Sequence, residues 1–297
     1  MKHWKLFALC LMVSSIGFGQ SINYKIIKDQ PEDAANFWIN FGLMDFGLAM
    51  GNLEGYGMLG WSVNSVVNVK NKMGGEFTYR KFYFSIEEGK GRNFELGGYY
   101  NLFGKKKTKN MRVVLSSKSS SYGGKTYTET TSMKVPGTQM RSFGVRAGFN
   151  SQKDVIHGEM KTHEFDGARS FSSNGLYAGI LLTKQVNLTT HTAEYGVRGF
   201  GLYRRTYIDL IFNPIKKLTD INTGTEFTDV KPSALGFRIG WEFMQPEPRK
   251  IQGNAIYQKI ELGSRPLNGY YMMYSLGFNF KRKVKALSSF RPVREME

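Results

Sequence analysis

The chain has 297 residues, 41 Lys and Arg against 24 Asp and Glu, a formal net charge of +17 and a single cysteine. One cysteine excludes an internal disulfide framework. No run past the N-terminal leader approaches the ~20 apolar residues of a membrane-spanning helix.

The leader itself reads as a secretory signal. Lys2, His3 and Lys5 make a basic start, Leu6 to Val13 an apolar stretch, and Gly17-Phe18-Gly19 places small residues at −3 and −1 of a cut before Gln20. Cys10 invites a lipoprotein reading, but Leu9 stands where a small residue is required. Cleavage after residue 19 would remove the cysteine as well. An exported chain without a spanning helix is either water-soluble or a β-barrel.

Residues 20–35 lack alternation and carry Pro31, Glu32 and Asp33; they read as a periplasmic lead-in, or a short plug. From residue 36 a period of two sets in. Over 59–69, Leu59, Trp61, Val63, Val67 and Val69 share one face, and Gly60, Ser62, Asn64, Val66 and Asn68 the other. Over 142–149, Phe143, Val145, Ala147 and Phe149 oppose Ser142, Gly144, Arg146 and Gly148. Over 235–243, Leu235, Phe237, Ile239, Trp241 and Phe243 oppose Gly236, Arg238, Gly240 and Glu242. The last such segment sets Tyr270, Met272, Tyr274, Leu276, Phe278 and Phe280 against Tyr271, Met273, Ser275, Gly277 and Asn279.

Successive strand side chains point to opposite faces, so each segment has a greasy aromatic face and a face of Gly, Ser, Asn and charge. A soluble sandwich also alternates, but its wet face favours Thr, Lys and Glu over glycine. In lipid the strands must close on themselves to satisfy their edge amides. The fold class is therefore all-β, an antiparallel transmembrane β-barrel over 36–281. A mean hydropathy of −0.36 does not oppose this, because only half of each strand faces lipid.

The expected strands are 36–48, 56–69, 75–88, 92–104, 110–119, 140–150, 174–188, 194–212, 232–245, 254–263 and 269–281, with weaker segments at 125–135 and 155–165. Even numbers are usual, which centres the count on about twelve, between ten and fourteen. Arg204 shares the parity of Phe200, Leu202 and Ile208, which calls for a bulge or a rim position. Asn213–Ser233 is the longest connection and reads as extracellular; this puts 246–253 and the end of the final strand in the periplasm. Residues 282–297 read as a basic periplasmic tail.

The export signal, the glycine–aromatic strand Arg141-Ser142-Phe143-Gly144-Val145-Arg146-Ala147-Gly148-Phe149 and the segment Tyr274-Ser275-Leu276-Gly277-Phe278-Asn279-Phe280 resemble outer-membrane β-barrel proteins of the Bacteroidota. The resemblance implies location in the bacterial outer membrane and an assembly-signal strand built on Tyr274, Leu276, Gly277, Phe278 and Phe280. It also implies, as partners, outer-membrane lipid and lipopolysaccharide, the barrel-insertion machinery, and other outer-membrane or periplasmic proteins. Export argues against nucleic acid as the partner of the positive charge.

Chemistry is sparse. His157, Glu159 and His163 share strand parity but read as loop residues, so no metal site, cofactor site or catalytic group is assigned. Gly89-Lys90-Gly91-Arg92 is a basic turn without the longer pattern of a nucleotide site. The run Gly104-Lys105-Lys106-Lys107-Thr108-Lys109 reads either as a solvated turn or as a contact for lipid phosphates or an acidic partner. Asn64, Asn68, Lys81, Glu95, Arg146, Arg238, Glu242, Lys259 and Glu261 are the expected lumen face, either an occluding ionic network or the lining of a small pore. Three functions follow: passive diffusion of small solutes, a non-enzymatic accessory subunit of a secretion or barrel-assembly complex, and, more distantly, a lipid- or peptide-hydrolase at the rim.

Overall fold

The computed structural model describes residues 22–31, 36–50, 56–69, 71–85, 91–157, 168–228, 233–246, 255–265 and 269–282. The expected signal peptide, and the tail beyond Arg282, lie outside the described residues. The described residues contain no helix long and apolar enough to cross a membrane.

Eleven strands form one antiparallel sheet: β1 Tyr24–Asp29, β2 Phe37–Met50, β3 Tyr56–Val69, β4 Met73–Ser85, β5 Gly91–Tyr122, β6 Lys125–His157, β7 Ala168–Thr192, β8 Gly196–Asp220, β9 Leu235–Pro246, β10 Ala255–Arg265 and β11 Gly269–Arg282. From β2 to β11 each strand pairs with its sequence neighbours, and β11 returns to pair with β2. The result is a closed ten-strand barrel with β1 added outside the ring, on β7.

The count of twelve is thus corrected to ten plus one. Segments 92–104 and 110–119 are one strand, β5, and 125–135 and 140–150 belong to β6, which ends at His157. The basic run 104–109 is therefore not a turn: Lys105 lies opposite Arg141 and Lys109 opposite Gly137 within a continuous ladder. The real turn is Gly123-Gly124, both at positive φ, 58° and 74°. A two-residue hairpin turn of that hand matches strand twist, and glycine adopts it without strain. Pro136 is tolerated because it precedes Gln139, where β7 pairing begins, so β6 has an open edge there. Residues 24–29 are also strand, not irregular lead-in, and β8 runs on to Asp220, which shortens the expected long connection.

Alternation governs the ring. In β11, Tyr270, Met272, Tyr274, Phe278 and Phe280 are exposed, while Tyr271, Met273, Ser275 and Asn279 are buried. In β9, Leu235 and Phe237 are exposed and Arg238, Glu242 and Met244 buried. Large apolar side chains thus face outward around the barrel, with Leu43 at 61%, Leu210 at 72% and Leu235 at 67% exposure. The inside holds the buried charged and amide side chains together with inward tyrosines, methionines and a tryptophan. This is the reverse of a water-soluble domain.

The antiparallel path sorts the connections. One rim carries the start of β2, residues 71–72, Gly123-Gly124, residues 193–195, the end of β9, the start of β10 and the end of β11; this is the terminal rim. The far rim carries the ends of β2, β4, β6 and β10, the starts of β3, β5, β7, β9 and β11, and residues 221–228. Two hairpins overrun the terminal rim. β4 leaves β5 after Tyr100, and β6 and β7 part beyond the Gln139–Val186 pair. Beyond those points the β5–β6 and β7–β8 hairpins fold together over Met111, Val113, Leu115, Met133, Val135, Val186 and Leu188, with Ile22, Tyr195, Phe200 and Leu202 at the margin. Arg198 Nε donates to the Leu115 carbonyl at 2.8 Å, which joins the hairpins. β1 fills the edge of β7 that β6 vacates, and Asp29 accepts from Thr138 N and Oγ1, both at 2.7 Å.

Candidate functional site

The inward faces meet in three layers. Nearest the terminal rim, Trp38, Val66, Tyr99, Leu181, Tyr203, Met244 and Tyr257 form one buried cluster with Tyr207. Trp38 stacks on Tyr203, with ring centroids 4.7 Å apart, and so links β2 to β8 across the interior. Toward the far rim, Met58, Phe82, Tyr271 and Met273 form a second apolar cluster.

Between them lies an unbroken chain of alternating charge. Arg80 Nε meets Asp45 at 2.8 Å and its Nη1 reaches Glu261 at 3.8 Å. Glu261 and Glu242 share Lys259 at 3.2 Å and 3.6 Å. Glu242 accepts from Arg205 at 3.0 Å, and Arg205 also pairs with Glu76. Glu76 meets Arg146 at 2.8 Å, Arg146 reaches Asp209 at 3.5 Å, and Arg238 joins Asp209 at 2.6 Å to Glu95 at 2.5 Å. Arg80, Asp209 and Glu261 are 0% exposed. A buried charge is tolerated only when paired and hydrogen-bonded, and every ion here has at least one opposite neighbour.

Tyrosines brace the chain. Tyr207 and Tyr271 both donate to Glu261, at 3.0 Å and 2.8 Å. Arg146 lies 4.1 Å from the Tyr207 ring centroid, and Arg238 lies 4.7 Å from that of Tyr177. These rings fit because glycines face them from neighbouring strands. A Cβ at Gly148 would stand 2.7 Å from Tyr177 Cζ, and one at Gly240 would overlap the Tyr207 ring. The inward glycines are sockets for aromatic rings.

Of the expected lumen residues, Asn64, Asn68, Glu95, Arg146, Arg238, Glu242, Lys259 and Glu261 are buried within the barrel. Lys81 is the exception and its placement is corrected: it is exposed, on the outer face, with Trp61 and Arg92 as cross-strand partners. Glu76, Arg80 and Phe82 hold the inward positions of β4. Phe82-Tyr83-Phe84 places aromatics at both parities, and a register shift opposite Leu59 and Gly60 breaks the alternation there. Asp45, Glu76, Arg80, Arg205 and Asp209 are the network members that sequence reasoning missed.

In β11, Tyr274, Phe278 and Phe280 are exposed on the outer face, Leu276 is half-buried, and Gly277 sits against the Phe41 carbonyl of β2. Arg204 is exposed where the β8–β9 ladder ends, at the Tyr203–Met244 pair, and no bulge interrupts β8 there. The rim position explains it. His157 ends β6, Gly158 to Glu164 lie outside the described residues, and His191 is exposed. Among the described residues no three His, Cys, Asp or Glu gather as metal ligands.

No family model matches the chain, and no curated protein matches it.

Proposed function

We propose that the chain is a closed outer-membrane β-barrel that serves as a non-enzymatic accessory subunit, holding its terminal-rim extension in the periplasm for a partner protein. The observation that carries this reading is the three-layer filling of the interior. An ionic layer that runs from Asp45 to Glu95 is covered on both sides by buried apolar clusters. A diffusion channel needs a continuous wet path, and here inward side chains of all ten strands fill a barrel far narrower than the ~16–18 strands that leave an aqueous channel. The filling therefore favours an accessory role over solute passage.

Three further observations support the placement. The outward apolar belt suits acyl chains better than water. The leader resembles an export signal, and the barrel strands resemble those of Bacteroidota outer-membrane proteins. With the end of β11 in the periplasm, as in that class, the hairpin extension also stands there. Beyond Tyr100, β5 forms ladder pairs only with β6 among the described strands, and apart from the Leu115 carbonyl taken by Arg198 this is an edge of the kind partners pair with.

Two measurements on the full chain from native membranes test the reading. Purification in mild detergent is expected to recover a stoichiometric protein partner, lost when residues 117–130 of the extension are deleted. In planar bilayers the purified chain is expected to give no discrete conductance steps. Reproducible conductance by a lone wild-type chain would overturn the accessory role in favour of solute passage.

A further inference from the structure

Where the barrel meets its extension, four cations stand side by side on the outer face. Lys105 of β5 lies opposite Arg141 of β6, Arg141 opposite Lys184 of β7, and Lys184 opposite Arg204 of β8. Cross-strand partners share a face, and each of these follows the apolar belt of its own strand: Val145 and Phe143 before Arg141, Ile180 and Leu182 before Lys184. At one strand spacing each, the row spans roughly 14 Å.

Like charges directly opposite each other destabilise a sheet. None of the four forms an ion pair with a described residue. The charges that act on half-buried Lys184 are Arg141, Lys109 and Arg204, all of its own sign. A row of repelling cations needs an anion from outside the chain. The row is open to the outside and bracketed along the strands: above it the two hairpins close over the apolar cluster that contains Val186 and Leu188, and below it the outward apolar belt begins. An anion placed there sits at the level of a bilayer's headgroups, with apolar surface directly beneath it.

We infer that Lys105, Arg141, Lys184 and Arg204 form a binding row for the phosphates of anionic phospholipid in the leaflet at the terminal rim. The arginines can each take two phosphate oxygens, the lysines act as point charges between them, and the acyl chains lie along the belt. The row would fix the depth of the barrel in the bilayer at the foot of its extension. This inference rests on the membrane reading proposed above, and it adds a lipid class and a leaflet to it.

The test is native mass spectrometry of lipid adducts on the full chain released from nanodiscs of phosphatidylcholine doped with either phosphatidylglycerol or lipid A. Wild type is expected to retain phosphatidylglycerol over phosphatidylcholine by about tenfold, with retention falling as salt rises. The variant K105Q/R141Q/K184Q/R204Q should lose that preference while keeping heat-modifiable mobility on a gel, the sign of an intact barrel. Should it fail to fold, single R141Q and R204Q variants are each expected to lower retention two- to threefold, and R141K/R204K to preserve most of it. Equal retention of neutral and anionic phospholipid would overturn the proposal, as would a neutralised row that binds as before. Stronger binding of lipid A than of phosphatidylglycerol would overturn the leaflet assignment, and loss of an acidic protein instead of lipid on neutralisation would overturn the ligand class. A chain that enters no bilayer would remove the membrane reading itself, a different result from any of these.

Discussion

The barrel and the extension are built from the same strands, yet they bury opposite faces. In β6, Val145 and Phe149 face outward and are exposed within the ring, while Val135 and Met133, of the same parity, are core residues of the extension. In β7, Ile180 and Leu182 are outside and exposed, whereas Val186 and Leu188 on that face are buried. In β6 and β7 the side-chain pattern does not slip; its surroundings change. Inside the ring the interior has an ionic middle layer and the apolar stripe points away, the arrangement that a sheet placed in lipid would need. Beyond the rim the apolar faces of two hairpins turn toward each other, as a sheet in water requires. The four-cation row marks the changeover.

The comparison can be broken by substitutions that should act on one region only. Arg205→Ala should have the largest effect, about 3–5 kcal/mol of lost stability, because it leaves Glu76 and Glu242 short of a cation in a dry interior. Urea unfolding in lipid vesicles would measure it; a loss under about 1 kcal/mol would mean the interior is wetter than the three layers imply. Leu188→Ala should come next, about 2–5 kcal/mol, from the cavity left under Val135 and Met111. Its signature is local: faster hydrogen exchange and proteolysis in 105–138 and 186–203, with heat-modifiable mobility of the barrel retained. If the barrel unfolds together with the extension, the two regions are one cooperative unit.

Smaller effects sharpen the boundary. Asp29→Ala removes the acceptor of two bonds from Thr138 and should cost about 1.5–3 kcal/mol, read as faster exchange of the β1 amides alone. Gly124→Ala should cost about 1–2 kcal/mol through its left-handed backbone, and only at the hairpin tip. A change at the barrel rim from either substitution would show that the extension reports strain to the ring.

The outward stripe and the closure of the sheet were legible because β3, β9 and β11 alternate without interruption, and most of the charged interior followed from parity. The remainder was hidden for identifiable reasons. Asp45 follows Gly42-Leu43-Met44, where the register shifts against both neighbouring strands, so parity counted from Phe37 fails. Tyr99, Tyr177 and Tyr207 turn inward where Gly74, Gly148 and Gly240 of neighbouring strands leave them room, a pairing that the parity of the greasy faces alone does not give. A signal did exist: glycine at inward parity in one strand with tyrosine in a neighbour. The extension was misread because lysines 105–109 resemble a loop in composition, while the hairpin is fixed by the Gly123-Gly124 turn and by apolar residues of the same parity further along.

β1 has a consequence for the order of assembly. Tyr24 to Asp29 leave the ribosome early, yet among the described residues their only strand partner is the end of β7, and β2 begins on the side of the ring opposite to it. This early segment must therefore wait for residues made far later before it has a strand to pair with. Its docking and the β2–β11 seam are two separate latches, so a nascent chain can complete one and still lack the other.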